Sequence, residues 1–149
     1  MDRKVFHFDS PAENYVADAA VVCCFDERIR IAVNEFLRKS GILHPDMIVL
    51  AGGAKTLASP ESGFERDFVL EQIRLSVRLH GTNRAILMNH SDCGAYGGFA
   101  AFRRERQVEM QRHSEELARA SAMVRKTFCD LSVETYFVAF DGVFSTETK

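Results

Sequence analysis

The chain has 149 residues, 46% hydrophobic and 27% charged, with a formal net charge of -2. That length fits one compact domain with a true hydrophobic core, and the near-neutral charge gives no basis for a nucleic-acid or anionic-membrane partner. No apolar run approaches the roughly 20 residues of a membrane-crossing helix, and MDRKVFHFDSPAENY at the start lacks a signal-peptide core. In chain order, residues 1–18 read as an arm without periodicity. DAAVVCCF (18–25) is an apolar run without polar alternation, as expected of a strand buried on both faces. DERIRIAVNEFLRKSG then reads as a helix, with Ile29, Val33, Phe36 and Leu37 on one face and Gly41 as its stop.

DMIVLAGG predicts a second buried strand, ending in two glycines. SGFERDFVLEQIRLSVRLHG follows as a helix, with Ser62 and Glu65 spaced as a capping box and Gly81 at the end. RAILMNH is a third strand, 100–128 is helical in composition, and LSVETYFVAFDG is a fourth strand. No repeat, linker or low-complexity stretch divides the chain, so 1–149 is expected to be a single domain. Alternating strands and helices predict an α/β fold: a mainly parallel sheet of about four strands, order 2-1-3-4, flanked by helices.

In that order strands 1 and 3 are neighbours, and a crevice opens at their carboxyl ends. Cys24 ends strand 1; His90 and Cys93 end strand 3, 66 positions beyond Cys24. Two thiolates and an imidazole suit a tetrahedral zinc with an open fourth position, although Co²⁺ or Fe²⁺ could occupy the same set. Taken alone, H-x-x-C reads more simply as a capping histidine and a small core cysteine. Joined to a strand-terminal cysteine in a parallel-sheet pattern, it points to a metal. Adjacent strand residues face opposite ways, so Cys23 is expected in the core. Cys129 is expected to be structural. We read the chain as cytoplasmic, where thiols stay reduced and serve as ligands or nucleophiles.

Asp26 is an N-cap for the first helix, an acceptor beside the metal, or a fourth ligand that swings in and closes the site. Arg28 opposes the helix dipole in the first turn, which argues for a partner, and Asp26 is the nearest. Asp92 either orients His90 or is a solvent-facing turn residue. His7, His44, His80 and His113 have no ligand-like company and read as surface or capping residues. Arg103, Arg104 and Arg106 read as a solvated helix face.

These stretches resemble the β-class carbonic anhydrases. CFDER matches that family's C-x-D-x-R, HSDCGA its H-x-x-C-G, and VLAGGA its glycine-containing loop. The resemblance covers roughly residues 18–100, with a weaker echo at YFVAFDG. It implies zinc on Cys24, His90 and Cys93, with Asp26 and Arg28 as a dyad beside a zinc-bound hydroxide. That hydroxide would attack CO₂ to give bicarbonate. It also implies a homodimer or a multiple of one. The chain departs from the family in having Val49-Leu50-Ala51-Gly52 where many members have Arg-Asn-Ala-Gly, and in its short arm. Relatives with the same zinc core hydrolyse CS₂ or COS, so another small cumulene is an alternative substrate. An alternative of a different class is a zinc-stabilised binding module without catalysis, which chelation would unfold.

Overall fold

The computed structural model describes residues 2–147. Five strands form one sheet: β1 (Ala19–Cys23), β2 (Pro45–Val49), β3 (Arg84–His90), β4 (Ser132–Ala139) and β5 (Gly142–Ser145). The helices are α1 (Glu27–Lys39), α2 (Lys55–Ala58), α3 (Gly63–His80) and α4 (Arg106–Thr127), with 3-10 turns at Gly94–Tyr96 and Phe99–Phe102. The strand order is β2-β1-β3-β4-β5, parallel except for the antiparallel β4–β5 pair. The four parallel strands follow the expected order. The fifth was not anticipated, because GVFS is too short to stand out. It follows the Phe140-Asp141 turn as a hairpin return, paired Ala139 to Gly142.

The central strands lack polar alternation because both faces are covered. On one face Val21, Cys23, Ile86 and Met88 pack with Ile29, Val33 and Leu37 of α1. On the other, Val22, Ala85 and Leu87 pack with Val69 and Ile73 of α3 and Leu117, Ala120 and Val124 of α4. Each Val, Leu, Ile or Met side chain among them contributes about 1.5–3 kcal/mol by leaving water. β2 departs from expectation: it is an edge strand, with Met47 and Val49 exposed rather than buried on both faces. One neighbouring strand and partial helix cover leave its outer side open.

The helix ends follow their capping residues. Asp26 accepts from the Arg28 backbone N–H at 3.0 Å and starts α1. Ser62 accepts from the Glu65 N–H, while the Glu65 carboxylate reaches the Glu61 N–H rather than closing a reciprocal box. Gly81 ends α3 at a φ of 64°. Residues 2–14 form no helix or strand and leave Val5, Phe6 and Phe8 exposed. The arm is anchored where Tyr15 donates to Asp46 at 2.6 Å. Among the described residues, no helix is long and apolar enough to cross a membrane.

Candidate metal centre

β1 and β3 are hydrogen-bonded neighbours, so the segments leaving their carboxyl ends meet. Cys24 lies one residue past β1, His90 is the last residue of β3, and Cys93 follows after a tight turn. All three are buried, and their ligand atoms lie within 4.8 Å of one another. Around a tetrahedral zinc, bond lengths of about 2.0–2.3 Å place such atoms roughly 3.5–3.8 Å apart. The three donors thus stand a small side-chain adjustment from a common centre.

His90 makes the cluster compatible with a cation. Its ring is fully buried, and Nδ1 lies 2.7 Å from the Ser91 carbonyl oxygen, which can only accept. The proton therefore sits on Nδ1 and the Nε2 lone pair is free. Nε2 is buried with no hydrogen-bond partner among the described residues. Leaving a buried polar atom so is unfavourable by about 1–3 kcal/mol, and a metal ion would satisfy it. The thiols agree. Cys24 is held well below the ordinary thiol range, first by a hydrogen bond from Cys93. The N–H groups of Gly52 and Asp26 add to this against the effect of burial. The same shared hydrogen bond and burial push Cys93 up. Soft sulfur donors and one imidazole form a set that fits zinc.

Asp26 stands beside this cluster with its carboxylate turned to Arg28. Arg28 Nε donates to Oδ1 at 3.0 Å and Nη2 to Oδ2 at 2.7 Å, while Oδ2 lies 3.9 Å from His90 Nε2. This fork, chiefly, lowers the Asp26 carboxyl to about 2. Arg28 also donates from Nη1 to Asp92 Oδ2 at 2.9 Å and from Nη2 to the Asp92 carbonyl at 3.1 Å. One guanidinium thus ties α1 to the turn between His90 and Cys93. Asp92 does not meet the His90 ring; its other oxygen accepts from the Phe99 N–H at 2.7 Å. A cavity of ≈ 570 Å³ opens over the cluster, lined by Phe25, Ala51, Gly52, Gly94 and Ala95 as well as Cys24, Cys93 and Asp26.

Two residues are placed otherwise than the sequence suggested. Cys129 is exposed rather than structural, lying just past the end of α4. His113 is fully buried, not at the surface, because it sits on the inner face of α4 against Tyr96, Phe102 and Phe137. Cys23 is buried as expected, and burial pushes its thiol up to about 12.

Glu109, His113 and Glu116 were missed as a group. Their i, i+4, i+7 spacing places them on one helix face, and that spacing was the available signal. All three are fully buried. Glu116 accepts from Ser59, Tyr96 and Arg119. His113 accepts at Nδ1 from the Asn89 amide at 3.2 Å.

Burial lowers the His113 pKa to about 4. The unfolded chain takes up this proton first, so the stability tied to neutral His113 is complete above about pH 6.5 and is lost as pH falls toward 4. The loss reaches roughly 3 kcal/mol. Urea midpoints between pH 7 and pH 4 should fall more steeply for the wild type than for His113→Gln. Parallel slopes would show that His113 does not carry the effect.

A family model described as "Putative carbonic anhydrase" matches residues 16–146. The chain belongs to this carbonic anhydrase family. The matched span contains all five strands and every candidate residue above, and leaves out only the arm and the last residues. An uncharacterized protein of Rickettsia bellii is 25% identical over 130 residues, covering 85% of this chain and 79% of its own. A β-carbonic anhydrase of Trichomonas vaginalis superposes with a TM-score of 0.62 at 14% identity, covering 94% of this chain and 87% of that one. A carbon disulfide hydrolase superposes at 0.59 with 16% identity, covering 91% and 82%. At such identities the likeness is one of fold: the five-stranded, mostly parallel sheet with its flanking helices is that of β-carbonic anhydrases.

Proposed function

We propose that the chain is a zinc-dependent carbonic anhydrase interconverting CO₂ and bicarbonate. The observation that carries this is the unpartnered, buried His90 Nε2 facing two thiols, with the Asp26–Arg28 pair alongside. Zinc bound by Cys24, His90 and Cys93 would supply Lewis acidity to a water in the remaining position. Asp26, kept ionised by Arg28, would accept a hydrogen bond from a reacting water beside the cluster and so orient its lone pair. The forked contact would hold the carboxylate toward Arg28 rather than toward a bound metal. Phe25, Ala51 and Ala95 offer apolar contact to a small, neutral, linear substrate.

A second reading keeps the site and changes the substrate to CS₂ or COS. Two observations favour it. The residues lining the cavity offer no hydroxyl, amide or cationic side chain to distinguish oxygen from sulfur, and a carbon disulfide hydrolase shares the fold.

We further propose a cytoplasmic homodimer or a multiple of it. The unpaired edge of β2 with exposed Met47 and Val49 supports assembly, as do Phe25, Ile31 and the arm's exposed Val5, Phe6 and Phe8. Four free cysteines, two of them needed as ligands, support a reducing compartment.

The test is stopped-flow CO₂ hydration at about pH 8.5, where ionisation of metal-bound water is favoured. Zinc per chain and light-scattering mass are read on the same sample. We expect a rate above the buffer blank at near one zinc per chain, and a mass of two chains or a multiple. Full zinc with turnover of CS₂ or COS alone would select the second reading. Full zinc with no turnover of any of the three would leave a zinc-stabilised binding module.

A further inference from the structure

We propose that Glu109 is a positioning residue that acts on the metal through the peptide group joining Ser91 to Asp92. The proposal rests on the reading of Cys24, His90 and Cys93 as metal ligands.

Glu109 lies in the first turn of α4 and is fully buried. Burying a carboxyl group is unfavourable unless its oxygens are used, and here each one is. Oε2 accepts from the Ser91 hydroxyl at 2.7 Å, and Oε1 from the Asp92 backbone N–H at 2.7 Å. No Lys, Arg or His forms an ion pair with it among the described residues; the Glu109 side chain is spent on this turn.

The Asp92 N–H belongs to the same peptide unit as the Ser91 carbonyl. That carbonyl accepts from His90 Nδ1 at 2.7 Å. The peptide is therefore gripped at both ends, by Glu109 on its N–H and by His90 on its oxygen. A peptide group is planar and conjugated, so a strong acceptor at the N–H makes the oxygen a better acceptor in turn. The chain of contacts runs from the Glu109 carboxyl through the peptide to Nδ1–H, and from the ring to Nε2. It should do two things. It fixes the plane of the imidazole, and it draws Nδ1–H so that Nε2 donates more strongly.

The turn needs such a hold. Asp92 adopts a φ of 55°, a conformation that a non-glycine residue enters at some energetic penalty. From the other side Asp92 is held by Arg28. Glu109 thus completes a grip on the segment between two candidate ligands, from a helix that supplies neither.

The test compares zinc affinity, by competition with a chromophoric chelator, in the wild type, Glu109→Ala, Glu109→Gln and Glu116→Gln. The absorption spectrum of each Co²⁺-loaded protein is recorded alongside. Glu116 is equally buried on α4 but bonds to Ser59, Tyr96 and Arg119 and not to the Ser91–Asp92 peptide. Removing Glu109 should weaken zinc about 10–100-fold and shift the Co²⁺ bands. Gln keeps an oxygen for the Asp92 N–H but loses the charge, so its affinity should fall between those of Ala and the wild type. Glu116→Gln should match the wild type in affinity and spectrum. Should the Ala variant not fold, the isosteric Gln variant carries the comparison. Unchanged affinity and spectrum in the Glu109 variants would overturn the proposal while leaving the metal site standing. Equal losses in Glu109→Gln and Glu116→Gln would overturn it too, by showing that any loosening of α4 suffices. A wild type that takes up no zinc would overturn the ligand reading itself, and this inference with it.

Discussion

Asp26→Asn is expected to keep its metal and lose turnover, by about 10²–10⁴-fold if Asp26 is the acceptor for the reacting water. The substitution isolates charge from shape. Asn caps helices as well as Asp does, so the bond from the Arg28 backbone N–H to the side-chain oxygen can persist and α1 still starts at residue 27. The second oxygen becomes an amide NH₂, which meets Arg28 Nη2, donor against donor, where the carboxylate had accepted at 2.7 Å. Arg28 still has Asp92 as a partner and should turn to it. Zinc per chain, measured with the CO₂ hydration rate, separates the outcomes. Both kcat and kcat/KM should fall at full metal occupancy, since the interaction matters most as the proton is held in the transition state. Undiminished turnover at full occupancy would remove Asp26 from the mechanism and leave it as a helix cap.

How much was legible in the sequence depends on how local the signal was. α1 and α3 were readable because their caps and apolar faces agree, and β3 because its AILM is an uninterrupted apolar run. The meeting of Cys24 with His90 and Cys93 was readable for a topological reason: adjacent parallel strands bring their carboxyl ends together, whatever the separation in sequence. β2 was misread because an apolar run does not say whether one neighbour or two will cover it. α2 and β5 are each four residues long, too short to show a period. The support of the site lay deeper. Glu109, His113 and Glu116 sit where a helix usually turns apolar residues inward, so their spacing does not read as a buried face. Only the fold shows that the N-terminal half of α4 turns polar groups inward, Glu109 among them onto the Ser91–Asp92 turn, while Leu117, Ala120 and Val124 fill the apolar core.

Gly53→Ala should be the most damaging single methyl group in the protein. Gly53 has a φ of 55°, and a Cβ there would lie 2.5 Å from the Met88 carbonyl oxygen, 2.9 Å from the Cys24 nitrogen and 3.2 Å from the Cys23 carbonyl carbon. All three are backbone atoms, so no side chain can rotate away. The loop sits where it does because Gly53 N–H donates to Leu50 and Ala54 N–H to Met88, which seats residues 52–54 across the ends of β1 and β3. To admit the methyl group, those strand ends must separate, and they carry Cys24 and His90. Left-handed backbone strain and displaced packing together should reduce stability by about 3 kcal/mol or more. Zinc content should fall with it, because the ligands no longer converge. Gly94→Ala provides the contrast: Gly94 lines the cavity over the cluster, but a Cβ there meets nothing within 4 Å, so its stability should stay within about 0.5 kcal/mol of the wild type. Urea midpoints and zinc per chain on both variants decide the matter. A Gly53→Ala protein as stable and as metal-loaded as the wild type would mean that this loop yields without moving the strand ends. The convergence of the ligands would then depend on the 90–93 turn and its grip from α4, and not on the close approach of the glycine loop.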